Sequence, residues 1–259
     1  MSVAELIEPV RPEGGPTHLP DVEKWGQGRT LYGGASALIA YTAAIRAFPD
    51  LPPLRAAQIG FVAPVGPDVE LRSEILRQGR NVTQLRSEIW CEGGCALTAH
   101  WLFAAARDAN AIHPAPSPAN WPEPPAEAEE VMADKGPEFI RNHFDLRRAQ
   151  EQRGAGDPVV RRWVRLRGDE GIDAVSRLVL MGDVLPPGAM RAMRRPGPIS
   201  SINWSFNLLD TRPHSEDGWW LAENASQHAD AGYSSERLRL WSSNGRQVLD
   251  GMQSVAVFG

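Results

Sequence analysis

The sequence is poor in cysteine, with two in 259 residues, Cys91 and Cys95. They flank Glu92-Gly93-Gly94, a turn between two strands. No second cysteine pair or histidine pair follows at ligand spacing, so a zinc site has no support and two free thiols in a reducing compartment remain. Long apolar runs are missing too. The N-terminus carries Glu5 and Glu8 where a signal peptide needs an uninterrupted apolar stretch, and no segment approaches a membrane span. The chain reads as cytoplasmic, without a membrane partner. There is no basic surplus: the formal net charge is −5 and the sequence pI about 5.7. That excludes nucleic acid as the main partner while leaving room for a local basic pocket that takes a small phosphorylated ligand. No Gly-x-Ser-x-Gly elbow occurs, so a serine nucleophile on a strand-to-helix turn is unsupported.

Against these absences stands an ordinary globular composition, 42% hydrophobic and 23% charged, in a chain long enough for one large domain or two small ones. The stretch from Gly28 to Ile45 organises the rest. Two glycines, Gly33 and Gly34, are followed by Ala35, Ala37, Ala40, Ala43 and Ala44, with Leu38, Ile39 and Ile45 as the larger apolar side chains. A helix with no polar face has to be enclosed, and a curved antiparallel sheet is the simplest enclosure. The glycines leave the first-turn N–H groups open to a carbonyl or an anion. An alternative is that they only form a tight strand-to-helix turn.

Residues 1–24, rich in proline and glycine, are expected to lie extended over the surface. Pro49, Pro52 and Pro53 end the helix near Phe48. Period-two alternation then marks strands from Ala57 to Phe61, Val69 to Leu76, Val82 to Trp90 and Ala96 to Ala104. Six prolines between Pro114 and Pro125 mark a linker. The expected organisation is an N-terminal unit over residues 1–107, a Pro-rich linker over 108–135 and a C-terminal unit over 136–259. In the second unit strands are expected over Phe139–Arg148 and Val159–Leu166. Asp173 should cap a helix from Ala174 to Val184. Strands over Ile199–Leu209, Trp219–Glu223, Gly232–Trp241 and Gln247–Phe258 follow. Ile202, Trp204 and Phe206 share one face of their strand, and Asn203, Ser205 and Asn207 the other.

The halves resemble each other. Ile89-Trp90 before the Gly94 turn matches Leu240-Trp241 before the Gly245 turn, and Gln58-Ile-Gly-Phe61 matches Asn203-Trp-Ser-Phe206. A duplicated α+β unit would join two sheets edge to edge and remove two exposed edges. The second helix lacks the glycine pair and carries Asp183 instead, so the two clefts should differ.

Gly28-x-x-x-Tyr-Gly-Gly34, Phe61-x-x-Pro64, Leu76-Arg-x-Gly-Arg80 and Gln253 together resemble the double-hotdog acyl-CoA thioesterases of type II, over about Gly26 to Phe258. The resemblance implies a tandem hotdog in which each half wraps a long helix in a curved antiparallel sheet. It also implies hydrolysis of fatty acyl-CoA thioesters to free acid and coenzyme A, without a metal or bound organic cofactor. In that family an Asp, a Thr and a Gln orient the attacking water. The Gln matches Gln253, the Asp position falls on Asn203, and the Thr position falls on Ala225, beside Ser226. Asn203 can hold a water but cannot take its proton. Ser226 could supply the hydroxyl only through a one-residue register shift, which would turn its side chain to the other face. The helix start, with Tyr32, Gly33 and Gly34, is the candidate oxyanion and substrate-binding element.

Each candidate has a competing reading. Gln253 could be a surface amide, and Asn203 lies on a polar, solvent-facing side of its strand. His228, near Glu223 and Asp230, could act as a general base or be only solvated. Arg55, Arg77, Arg80 and Arg86 are candidates for the coenzyme A phosphates or a solvated strand face. The hotdog hydratases would need a His and a carboxylate at the first helix, which has neither. The competing function is a non-catalytic acyl-CoA-binding or sensing protein with a degenerate site. A tandem unit already contains the pairing that a single one gets by dimerising, so a monomer and a homodimer are both compatible with the sequence.

Overall fold

The computed structural model describes residues 2–116, 118, 120–131, 136–151 and 153–258. The alanine-rich segment is a helix over Gly33–Ala47 (α2), after a short helix over Val3–Ile7 (α1). Every α2 residue from Gly34 to Ala44 is buried, as the lack of a polar face requires. The helix starts at Gly33, later than Gly28, because the preceding residues form a small hairpin of β2 (Gly26–Gln27) and β3 (Thr30–Leu31). The N-terminal segment is not simply extended. Ser2 and Glu5 form a reciprocal cap on α1, and Gly15–His18 forms β1, paired with the sheet.

The remaining first-half strands are β4 (Leu54–Phe61), β5 (Asp68–Gln78), β6 (Val82–Cys91) and β7 (Gly94–Ala104). The second half has α3 (Glu138–His143), β8 (Phe144–Arg148), β9 (Val159–Leu166) and α4 (Ala174–Met181). It ends with β10 (Ile199–Leu208), β11 (Trp219–Asp230), β12 (Tyr233–Ser242) and β13 (Gln247–Val257). Asp173 caps α4, its carboxylate accepting from the N–H groups of Val175 and Ser176. The expected strand over Phe139–Arg148 is half helix. Phe139 and Ile140 face inwards from α3, and Pro137 starts that turn with a fixed φ that a helix accepts.

One antiparallel sheet runs β1-β5-β6-β7-β4-β10-β13-β12-β11-β9-β8. Its centre is the join between the halves. Gly60 pairs with Asn203, Ile59 with Trp204 and Gln58 with Ser205. The two segments that match in sequence therefore pair with each other, and a pseudo-two-fold passes through the Ile59–Trp204 pair. Outwards from it, β7, β6 and β5 correspond to β13, β12 and β11. Both helices lie on one face of the sheet and pack on each other. On the opposite face Trp163, Leu221 and Trp241 sit in register across β9, β11 and β12. The proline-rich segment approaches them: the Trp163 indole donates to the Glu123 carbonyl (2.8 Å) and Trp121 stands edge-on to it. No helix among the described residues is long and apolar enough to cross a membrane.

Candidate active site

A cavity of about 330 Å³ opens where the start of α2, the end of α4, the β4–β5 connection and the starts of β10 meet. Its floor carries Gly33, Ser36, Asp183 and Gln253. Leu31, Phe61, Val65, Leu185 and Ile199 give its walls apolar stretches, with Gln27, Arg29, Thr30, Ser200 and Ser201 as polar lining between them. Both halves of the chain contribute, so the site exists only in the joined molecule.

Asp183 reaches the floor because α4 ends at Gly182, where a β-carbon would collide with the Trp204 ring. Gln253, buried on β13, donates from Nε2 to Asp183 Oδ1 at 2.8 Å. Burial raises the Asp183 carboxyl from 3.8 to about 7, and the Gln253 hydrogen bond pulls it back in part. A carboxyl that ionises near neutrality is suited to exchange protons with a water.

The glycine pair at the start of α2 has a steric cause. A β-carbon on Gly33 would collide with Asp183 Oδ2 and the Phe61 ring, and one on Gly34 with the Leu180 carbonyl and the Tyr32 hydroxyl. Gly33 thus lets the helix start approach the carboxylate, and its N–H is among the first-turn donors that lack an intrahelical acceptor. Gly34 faces the helix–helix contact. The Tyr32 side chain is buried there as well: its hydroxyl donates to the Leu180 carbonyl, and its ring stacks on Phe139 at 4.0 Å. Neither Gly34 nor Tyr32 lines the cavity.

Of the residues singled out from sequence, the structure brings together Gln253 and Gly33. Asn203 lies on the outer face of the sheet, exposed, with Oδ1 accepting from the Ser254 N–H at 3.0 Å. Ser226 is tied to Ser234 Oγ at 2.8 Å and is absent from the lining. The carboxyl group at Gln253 is Asp183, and the hydroxyls in the lining include those of Ser36, Ser200 and Ser201. A β-bulge explains Ser201: the β10–β13 register shifts between Ser201 and Asn203. One residue is looped out there, so Ile202 is exposed instead of sharing the face of Trp204, and Ser201 turns to the pocket side opposite buried Val255. Glu223 is buried in ion pairs with Arg161 and Arg239, and His228 is exposed. Arg86 is paired with Glu74 and Glu88, and Arg55 donates to the Ala104 carbonyl. Arg77 and Arg80 sit with Arg107 round the β5–β6 turn. None of these borders the cavity.

The pseudo-equivalent of Gln253 is Ala99, since Ala99 pairs with Ile59 as Gln253 pairs with Trp204. The clefts therefore differ, and the amide belongs to only one of them.

The family model for the acyl-CoA thioesterase N-terminal domain matches residues 22–104, and that for the C-terminal domain matches residues 110–257. The chain belongs to the acyl-CoA thioesterase family. Among solved structures, a candidate thioesterase II from Thermobifida fusca YX superposes with a TM-score of 0.83 at 20% identity, covering 99% of this chain and 97% of that one. A hot dog fold protein from Alicyclobacillus acidocaldarius gives 0.83 at 18% identity, covering 95% and 94%. An acyl-CoA thioesterase II from Mycobacterium marinum gives 0.76 at 15% identity, covering 99% and 98%. At such identities the likeness shows the fold, a tandem hotdog. No curated protein matches the sequence.

Proposed function

We propose that this thioesterase-family chain hydrolyses acyl-CoA thioesters at the cavity floor, with Asp183 as general base and Gln253 orienting it and the water. The observation that carries the reading is the Asp183–Gln253 hydrogen bond beside Gly33, in a cavity whose walls include the apolar side chains of Leu31, Phe61, Val65, Leu185 and Ile199. The acyl group enters between those walls. Asp183 takes one proton from the water, and the resulting hydroxide adds to the thioester carbonyl carbon. The Gly33 N–H donates to the oxygen that becomes negative. Such a donor is worth about two to three powers of ten in rate. Collapse of the tetrahedral intermediate breaks the carbon–sulfur bond. The thiolate leaves and takes up the proton, giving free acid and thiol. Ser201 or Ser36 supplies a hydroxyl to the water.

Release of free thiol from acyl-CoAs of increasing chain length tests this. Turnover should peak at a length set by the pocket, and Gln253→Ala should lower it. Undiminished hydrolysis in that variant would refute the assignment.

A further inference from the structure

Among the described residues, Arg29 is the only cation in the cavity lining. It stands at the tip of the hairpin that forms one wall. Gly26 pairs with Leu31 and Gln27 with Thr30, which leaves Gly28-Arg29 as a two-residue turn, with Gly28 at φ +69°. The hairpin is closed at its base and tied to the β4–β5 connection. The Tyr32 N–H donates to the Trp25 carbonyl at 2.9 Å and the Leu31 N–H to the Val65 carbonyl at 3.0 Å. The Val65 N–H donates to Thr30 Oγ1 at 2.9 Å. The tip thus belongs to an element held in place at the cavity lining.

Arg29 is exposed and has no ion-pair partner among the described residues. The one carboxyl group in the lining among the described residues, Asp183, is buried and bonded to Gln253. An exposed guanidinium has nothing to offer an acyl chain lying along the Leu31, Phe61 and Val65 side chains. Its planar set of donors fits phosphate oxygens. If the acyl group fills the walls, the thiol carrier runs outwards past this tip.

We infer that Arg29 recognises a phosphate group on the thiol carrier, so that the pocket selects phosphorylated pantetheine thioesters over the same acyl group on an unphosphorylated thiol. The inference rests on the thioesterase reading and names the substrate feature that reading leaves open. The phosphate could be the pantetheine 4′-phosphate, present in free coenzyme A and on carrier proteins, or the nucleotide phosphates that only coenzyme A has.

The experiment compares one acyl group on coenzyme A, on 4′-phosphopantetheine and on pantetheine, in the wild type, Arg29→Ala and Arg29→Lys. Arg29→Ala should raise KM for the coenzyme A thioester about tenfold or more, as expected for losing a hydrogen bond to a charged group. The increase should exceed that for the pantetheine thioester by a similar factor and shrink at high salt. Arg29→Lys should recover part of it. A loss shared by phosphopantetheine assigns the contact to the 4′-phosphate, and a loss confined to coenzyme A assigns it to the nucleotide. Equal effects on all three carriers, or none, would overturn the inference. Should no thioester turn over, the thioesterase reading fails, and calorimetry with coenzyme A still decides this one. Weaker binding to Arg29→Ala supports it, and unchanged binding refutes it.

Discussion

Asp183 carries a charge in a place that disfavours charge, and pH should reveal it. Its folded-state pKa of about 7 lies above its unperturbed value of 3.8. The folded chain therefore holds this proton more tightly than the unfolded chain. Between these two values stability falls as pH rises, and above about 7 the full penalty is present. Asp183→Asn keeps an acceptor for Gln253 and removes the charge. It should raise the denaturant midpoint at pH 8 and much less at pH 4, while abolishing the base. The rate should follow the same group in the opposite sense, with kcat/KM rising with pH to a plateau above about 7. Gln253 stabilises the ionised form, so in Gln253→Ala the rising limb should move to higher pH. A limb that stays in place would separate Gln253 from Asp183. Little of this could be read from sequence. Asp183 follows the apolar run Leu178-Val-Leu-Met181, which shows where a helix lies but not that its end meets a strand seventy residues later. Gln253 is legible through a motif match, whereas the exposure of Asn203 on the outer face of its strand has no sequence signature.

The elements were legible wherever a period was uninterrupted. Strands β5, β6 and β7 lie within a few residues of where alternation puts them, because each buries one face against α2, and β9 does so while burying Val164 and Trp163 on opposite faces. The period says nothing of the connections, and the connection after α4 makes a wall of the site. Asn224 on β11 donates from Nδ2 to the carbonyls of Leu185 (2.9 Å) and Pro186 (3.3 Å). Glu236 on β12, fully buried, accepts from the N–H of Gly188 at 2.7 Å and of Ala189 at 3.3 Å. Both side chains fasten the connection just past Asp183, Asn224 at Leu185 and Pro186 and Glu236 at the first residues of a short 3-10 turn over Gly188–Ala192. Asn224→Ala would leave buried carbonyls unpaired, at about 1–3 kcal/mol. Denaturation should show that loss together with slower thioester hydrolysis. Ser226 belongs to this clamp through Ser234, which donates to Glu236, and this accounts for its distance from the cavity.

At the scale of the molecule, the duplication was visible because the paired segments at the centre match each other. What the duplication builds was not visible, since pairing of β4 with β10 joins residues far apart in the chain. Trp204 lies fully buried on the pseudo-axis opposite Ile59, beneath Gly182 and next to Gln253 across the β10–β13 ladder. Trp204→Ala should cost about 3–5 kcal/mol. With one sheet running through both halves, denaturant unfolding should show a single transition that moves as a whole in this variant, and two separate transitions would contradict that coupling. The same continuity builds the cavity from both halves: it takes its glycine from the first, and its carboxylate and amide from the second.

We propose Asp183, and not the side chain at 203, as the group that activates the water. The most direct measurement is kcat/KM for acyl-CoA hydrolysis in Asp183→Asn and Asn203→Ala beside the wild type. The account predicts a fall of about two to four powers of ten in Asp183→Asn, the range for losing a general base, and near wild-type turnover in Asn203→Ala. Retained activity in Asp183→Asn, or collapse in Asn203→Ala, would contradict it.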